Sequence, residues 1–150
     1  RGQRLKADRM QTICHGDTKG PNLFFREDGR ALAVVDFQWT GRACAAKDLA
    51  YLLVCAAAGL TPEDEDAYLR HYLAELSPLL DVPPPSLQEL RDALALALAD
   101  LARYLAGRGW WGNVAVLKAR AAEVLDRLDG GSALDSQEAY REAVRREFPL

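Results

Sequence analysis

The hydrophobic pattern of this chain changes once, after Gln38, and that change limits the folds it can adopt. Upstream, two short apolar segments, Leu23–Phe25 and residues 31–37, flank a polar turn that contains Asp28 and Gly29. Short apolar segments joined through Asp-Gly are typical of a β-hairpin. Downstream, apolar residues recur at helical spacing to the end of the chain, most clearly as a stripe of leucines over residues 87–105. The sequence therefore predicts an α+β, mostly α fold, with one hairpin followed by about five helices.

Local signals indicate where these helices begin. Thr61 precedes a proline and a run of acidic residues, and Ser86 lies three residues before Glu89. A capping hydroxyl, an early proline and acidic side chains all stabilise a helix N-terminus, and Ser with Glu three residues later forms a capping box. After a loop over residues 41–46, we predict helices over residues 47–58, 61–76, 86–106, 114–128 and 136–148.

Composition indicates the class of protein. With 150 residues, 49% hydrophobic and 27% charged, the chain can form a single globular domain with a substantial core. The net charge of -3, with both signs interspersed, disfavours nucleic acid or an anionic membrane as a partner. The apolar run at residues 52–60 is too short to cross a bilayer. Three widely spaced cysteines without a C-x-x-C pair predict reduced thiols and a cytoplasmic location.

Three carboxylates lie in places where a charge is costly to bury: Asp17 in a loop, Asp36 after an apolar strand, and Asp48 in an apolar helix. The predicted hairpin brings Asn22 and Asp36 together, because its first strand starts after one and its second ends at the other. Amide and carboxylate oxygens suit Mg²⁺, and a further carboxylate can accept a hydroxyl proton. These groups are the ones that phosphoryl transfer needs. Taken alone, Asp17 and Asn22 could simply be turn-forming residues. The presence of Asp36 in addition favours a phosphoryl-transfer site.

Three segments carry a family resemblance. Residues 15–22, His-Gly-Asp-Thr-Lys-Gly-Pro-Asn, resemble the catalytic loop of the aminoglycoside phosphotransferase and choline kinase superfamily. Residues 34–38, Val-Val-Asp-Phe-Gln, resemble the metal-binding segment of its ecdysteroid-kinase-like branch, and residues 47–53 are similar to the next motif of that branch. The resemblance is strongest over residues 13–53. The later helices resemble the family only in their general helical character.

The resemblance implies the C-terminal lobe of a protein-kinase-like fold, with the catalytic loop and metal-binding hairpin in residues 1–42 and a helical subdomain in residues 43–150. It implies an ATP-dependent kinase that uses Mg²⁺ and transfers the γ-phosphoryl group to a hydroxyl of a small-molecule acceptor. The glycine-rich hairpin and strand lysine of the N-terminal ATP-binding lobe are not found in the sequence, so we expect an incomplete chain. A non-catalytic binding module or a partial gene product is the alternative.

The resemblance also implies a role for each residue of the candidate site. Asp17 would be the catalytic base, and Lys19 would place a cation near the γ-phosphate. Asn22 and Asp36 would hold Mg²⁺ against the ATP phosphates. Two further residues would support the loop. Asp48 would bind backbone N–H donors of the loop, and His15 would fix the loop through hydrogen bonds of its own.

Other properties stay open at this level. Trp110 and Trp111 could fill the core, line an acceptor pocket or hold a cationic substrate through cation–π attraction. The sequence does not identify the acceptor, because specificity lies in the helical part, where motifs are sparse. Without an N-terminal lobe, apolar surface around the hairpin would be exposed, which predicts self-association.

Overall fold

The structure, a computed structural model, describes residue 5 and residues 9–29, 32–55 and 61–148. Four short strands precede five α-helices in this part of the chain, which confirms the predicted α+β, mostly α class. The strands are β1 (Gln11–Cys14), β2 (Leu23–Phe25), β3 (Leu32–Val34) and β4 (Gly41–Cys44). The helices are α1 (Ala46–Cys55), α2 (Pro62–Leu76), α3 (Leu87–Arg108), α4 (Val114–Asp129) and α5 (Gln137–Glu147).

The strands form two small antiparallel sheets. In the predicted hairpin, β2 pairs with β3, and Leu23 lies opposite Val34. The second sheet pairs β1 with β4, and Gln11 lies opposite Cys44. The prediction of helices directly after Gln38, with a loop over residues 41–46, is wrong at β4. Its sequence has little intrinsic strand preference, so the pairing with a distant segment decides its conformation.

The predicted helix starts are confirmed by their caps. Thr61 forms a capping box with Asp64, and Ser86 forms one with Glu89. In both boxes the capping hydroxyl accepts a backbone N–H while the acidic side chain accepts the N–H of the capping residue. Ser136 caps α5 in a simpler way, by accepting the N–H of Ala139. The predicted end of the first helix, residues 56–58, lies outside the described residues.

Helix α3 is the centre of the core and packs against α1, α2 and α4. The leucine stripe predicted for this helix is buried: Leu90, Leu94, Leu98 and Leu105 are at most 2% exposed. Each such leucine removed from water contributes roughly 1.5–3 kcal/mol. Alanines cover the other faces of its middle turns, so α1 and α4 approach it closely. None of the described helices is long and apolar enough to span a bilayer.

Candidate functional site

The loop between β1 and β2 holds the first part of the site. Within it, the Lys19 N–H donates to the Asp17 carbonyl oxygen at 2.9 Å, and a 3₁₀ turn covers Gly20–Asn22. Gly16 has φ +85°, and a Cβ atom there would lie 2.5 Å from the Trp39 carbonyl oxygen. Only glycine fits this position, because it tolerates both the positive φ and the close approach. The loop is therefore packed directly against the segment that follows Asp36.

Asp17 is 6% exposed and accepts two side-chain hydrogen bonds. Lys19 Nζ donates to Asp17 Oδ2 at 2.7 Å, and Asn22 Nδ2 donates to the same oxygen at 3.0 Å. Burial raises the pKa of Asp17, but these hydrogen bonds outweigh it and hold the pKa below its usual value. The carboxylate is therefore ionised at neutral pH and able to accept a proton.

Asn22 connects this loop to the hairpin. Its side-chain Nδ2 also donates to the Asp17 carbonyl oxygen at 2.9 Å, so two bonds fix the orientation of the amide. Its own carbonyl oxygen accepts the Val35 N–H at 3.1 Å. The two ends of the hairpin therefore meet, and Asp36 follows one residue after this contact.

Asp36 has a backbone conformation that its neighbours impose. Its φ of 67° and ψ of 60° are left-handed, and no other described residue besides glycine has a positive φ. Such a conformation costs a non-glycine residue roughly 1–2 kcal/mol, and strained residues concentrate at functional sites. The sequence-based expectation that Asp36 is buried is wrong, because its side chain is exposed. The short β3 ends before it, so no neighbouring strand covers the carboxylate.

The donor set fits a magnesium complex of a phosphate ligand. In the described part of the chain, no cluster of three or more His, Cys, Asp or Glu side chains could hold a metal alone. Asn22 and Asp36 offer an amide oxygen and a carboxylate at the meeting point of the hairpin ends. Mg²⁺ usually takes one or two protein oxygens and completes its octahedron with waters and phosphate oxygens. Two protein ligands are therefore enough, provided that a phosphate compound is bound with the ion.

Asp48 holds the loop between β1 and β2 from the first turn of α1. Its Oδ2 accepts the His15 N–H at 2.6 Å, and its Oδ1 accepts the Gly16 N–H at 2.9 Å. Its backbone oxygen accepts the Thr18 hydroxyl at 2.9 Å. These contacts satisfy two backbone donors that the turn would otherwise leave without a protein partner.

The His15 ring bridges the loop and the end of β3. Its Nδ1 accepts the Asp17 N–H at 3.2 Å, and since an amide can only donate, Nδ1 carries no proton. The proton therefore sits on Nε2, which donates to the Val35 carbonyl oxygen at 2.9 Å. The ring also contacts Phe37, with 4.9 Å between ring centroids. Through this histidine, the residue before Asp36 is tied to the backbone of Asp17.

Sequence reasoning missed Tyr51, which lies beside Asp17. The Tyr51 hydroxyl accepts the Trp111 Nε1–H at 3.2 Å and interacts with the Asp17 carboxylate. Burial, together with the Asp17 charge, raises the pKa of Tyr51 to about 12, so the hydroxyl keeps its proton. One signal could have found it: Tyr51 follows Asp48 by three residues and so shares its helix face. Nothing local could have linked it to Trp111, sixty residues away.

A buried ion pair behind the site was also missed. Asp100 of α3 is 8% exposed and accepts hydrogen bonds from Lys47 Nζ at 3.0 Å and from Arg103 Nη2 at 2.9 Å. Burial raises the pKa of Asp100, but the two cations more than compensate and lower it overall. Because Lys47 precedes Asp48, this pair anchors the start of α1 on the central helix.

Replacing Asp100 with asparagine should lower the free energy of unfolding at pH 7 by roughly 1–3 kcal/mol. This loss is smaller than for a fully buried ion pair, because both cations are partly exposed to water. The folded-state pKa is depressed, so the ion pair stabilises the protein above the usual Asp pKa of 3.8 and is lost as the pH falls through the lower folded value. Urea unfolding of both proteins should therefore differ at pH 7 and converge below that value. An equal change in exposed Asp81→Asn would contradict this assignment.

The comparisons with known proteins agree with this geometry. The model of the phosphotransferase enzyme family (APH) matches residues 2–83, a range that contains both sheets, α1 and α2. No curated protein and no solved structure gives a significant match. Since the family match covers more than half of the 150 residues and includes the whole candidate site, the chain belongs to the phosphotransferase enzyme family.

Proposed function

We propose that this chain carries the catalytic loop and metal ligands of an ATP-dependent kinase that phosphorylates a hydroxyl of a small molecule, with ATP and Mg²⁺ as cofactors. One observation carries the proposal. The buried, ionised Asp17 accepts hydrogen bonds from Lys19 and Asn22. The two hairpin ends meet where the Asn22 carbonyl oxygen accepts the Val35 N–H, one residue before Asp36. The motifs at residues 15–22, 34–38 and 47–53 favour the ecdysteroid-kinase-like and choline kinase branch within the family.

Each residue has a chemical task in this reaction. Asp17 accepts the proton of the acceptor hydroxyl while that oxygen forms a bond to the γ-phosphorus, and the bond between this phosphorus and the β,γ-bridging oxygen breaks to release ADP. Lys19 offsets negative charge on the transferring group. Asn22 and Asp36 would hold Mg²⁺, which when bound neutralises phosphate charge. His15 and Asp48 act on the loop backbone and keep Asp17 in position.

The pKa of Lys19 supports this arrangement. The hydrogen bond to Asp17 and the charges of Asp17 and Asp36 raise the pKa of Lys19, so the ammonium stays protonated. It therefore lies in the field of two carboxylates, that of the proposed base and that of the proposed metal ligand. A phosphate group that enters this space meets one cation that is already held in place, which reduces the cost of ordering it.

A non-catalytic binding module is less well supported. Such a module would need no ionised base, yet Asp17 is desolvated and held by two hydrogen bonds at the cost of burial. A module would also need no strained carboxylate, and Asp36 has a left-handed backbone. Phosphoryl transfer to any acceptor separates the two functions, because a binding module forms no phosphate ester.

Binding of Mg²⁺ and ATP tests the metal ligands. Saturating Mg²⁺-ATP should raise the melting temperature of the wild-type protein by several degrees, because a ligand at one hundred times its Kd adds about 2.7 kcal/mol to stability. Asp36→Asn should lose most of this shift, since it removes a charged metal ligand. Asp28→Asn, at the exposed turn of the same hairpin, should keep it. An equal shift in Asp36→Asn, or a full shift with EDTA present, would contradict the assignment.

We also propose that the protein self-associates through the surface around its two sheets. Ile13 of β1, Phe25 of β2 and Trp39, which precedes β4, are 79%, 65% and 66% exposed, and exposed apolar side chains of this size favour association. Light scattering should show a mass that increases with protein concentration from roughly 1 to 100 µM, as expected for association by mass action. A constant monomer mass over this range would contradict the proposal.

The cysteines support a cytoplasmic location, which is also our proposal. The three cysteines, all within the described residues, form no disulfide, and Cys14 and Cys44 are buried. Burial, reinforced by the Asp48 charge, raises the pKa of Cys14 to about 11, so this thiol is a poor nucleophile at neutral pH. Reduced, unreactive cysteines are typical of a reducing compartment.

A further inference from the structure

The loop between α3 and α4 is fixed against the end of α1, close to Asp17. The Asn113 N–H donates to the Val54 carbonyl oxygen at 2.9 Å, and the Asn113 side chain caps α4. Gly112 has φ +73°, and a Cβ atom there would lie 2.9 Å from the Val54 carbonyl oxygen and 3.1 Å from Cys55 Sγ. The loop therefore touches the α1 backbone, which determines where the preceding Trp111 sits.

Trp111 belongs to a set of four side chains beside the catalytic carboxylate, which we name the aromatic wall: Tyr51, Cys55, Tyr104 and Trp111. The Trp111 indole donates to the Tyr51 hydroxyl at 3.2 Å, and its ring meets Tyr104 edge to face with 6.1 Å between centroids. Burial and the Asp17 charge both raise the pKa of Cys55, so this thiol lies in the field of the proposed base. The wall also shares helix α1 with Asp48, which fixes the loop that contains Asp17.

The outer part of the wall is open to ligands. Trp111 is 36% exposed and Tyr104 is 41% exposed, although both belong to a protein with a well-formed helical core. Aromatic faces that remain partly open next to a catalytic group bind apolar rings by stacking and by area burial. Trp110 differs from its neighbour, because Lys118 Nζ lies over its ring at 4.7 Å from the centroid.

The charges around the wall favour one class of acceptor. Residues 101–122, which contain Tyr104 and Trp111, include four cations and no carboxylate, and residues 49–55 of α1 carry no charged side chain. Two of these cations form ion pairs, Arg103 with Asp100 and Arg120 with Glu65, which leaves Arg108 and Lys118 beside the aromatic rings. The Arg108 guanidinium lies over the Tyr104 ring, 5.5 Å from its centroid. A polycationic ligand would meet like charges here and find no acidic partner on these segments. A neutral or anionic ligand would meet no such repulsion.

We propose that the aromatic wall is the acceptor subsite, and that the acceptor is a flat, apolar hydroxyl compound that is neutral or anionic rather than a polycationic amino sugar. This inference rests on the proposed function, because Asp17 must be the base that faces the acceptor. A ring stacked on Trp111 would meet Tyr104 at its edge, because the two aromatic rings are perpendicular, and it would direct a hydroxyl substituent past Tyr51 towards Asp17. Tyr51 thereby acts as a positioning residue, with its hydroxyl between the indole N–H and the carboxylate.

The test measures binding without ATP, so it does not depend on phosphoryl transfer. Saturation-transfer NMR titrations use 2-naphthalenemethanol as the flat neutral probe and kanamycin as the polycationic probe. The wild-type protein should bind the naphthyl alcohol at least about tenfold more tightly than kanamycin. Trp111→Leu should weaken that binding about tenfold, while Trp110→Leu, in the same loop, should stay within about twofold.

A second pair of variants covers the case in which Trp111→Leu does not fold. Tyr104→Leu should weaken binding of the naphthyl alcohol, and Tyr68→Leu, at a somewhat more exposed tyrosine on α2, should not. Equal or tighter binding of kanamycin, no saturable binding of the naphthyl alcohol, or equal effects within either pair would each overturn the proposal. If the naphthyl alcohol binds as expected but no hydroxyl compound is phosphorylated, the proposed function fails while the wall remains a binding site.

Discussion

Replacing Asp17 with asparagine should lower kcat by about 10²–10⁴-fold, the usual contribution of a positioned general base. Asparagine keeps the size of the side chain and can still occupy the space between Lys19 and Asn22, but it cannot accept the hydroxyl proton. The KM for ATP should change little, because the proposed metal ligands are untouched. Steady-state ADP formation with a phosphorylated acceptor measures both constants.

The control for this prediction is Asp81→Asn, the same substitution at an exposed position between α2 and α3. It should leave kcat unchanged. The pH dependence provides a further check, because the pKa of Asp17 lies below its usual 3.8. Activity that depends on this carboxylate should therefore not fall until the pH drops below that value, as far as the protein stays folded. A kcat for Asp17→Asn within threefold of wild type would remove Asp17 from the role of base.

Gly16→Ala should destabilise the protein by roughly 2–4 kcal/mol, which combines the cost of a non-glycine residue at positive φ with a steric clash. The added Cβ would lie 2.5 Å from the Trp39 carbonyl oxygen, a backbone atom that cannot move alone. The clash should push the catalytic loop away from the Asp36 segment, so Mg²⁺-ATP binding should weaken as well. Urea unfolding and the ligand-induced thermal shift measure the two effects.

Gly20→Ala is the matched control, because it lies in the same loop and no atom comes within 4 Å of its added Cβ. At such a position alanine is neutral or stabilises slightly, since it restricts the unfolded chain. Its unfolding midpoint should stay close to that of the wild-type protein. Equal midpoints for the two variants would show that the close contact between the loop and Trp39 does not constrain the fold.

Much of the fold could be predicted because its signals are local. The Asp28-Gly29 turn, the caps at Thr61 and Ser86 and the leucine stripe of α3 each act within a few residues, and the structure confirms all of them. Strand β4 could not be predicted, because residues 41–44 have no apolar alternation and pair with β1 across some thirty residues. The exposure of Asp36 was missed for a related reason, since it depends on where β3 ends.

The candidate site divides in the same way. Asp17, Lys19 and Asn22 lie within one loop, and the family resemblance of that loop already implied that they act together. Contacts between distant segments could not be foreseen: Trp111 with Tyr51, and Asp100 with Lys47. These contacts depend on how α3 and α4 pack against α1, which no local pattern encodes. They are also the contacts that place the proposed acceptor surface and the Asp100 anchor next to the predicted residues.

Phosphorus-31 NMR of the protein with ATP, Mg²⁺ and a panel of hydroxyl compounds tests whether this protein transfers phosphate with Asp17 as the base. A kinase should deplete the γ-phosphate signal of ATP while a phosphate monoester signal of one acceptor grows in equal amount. This exchange should require Mg²⁺ and nearly disappear in Asp17→Asn. The proposed function is wrong if no acceptor, flat or polycationic, gives a phosphate monoester, and the role of Asp17 is wrong if the Asp17→Asn variant forms the ester at the wild-type rate.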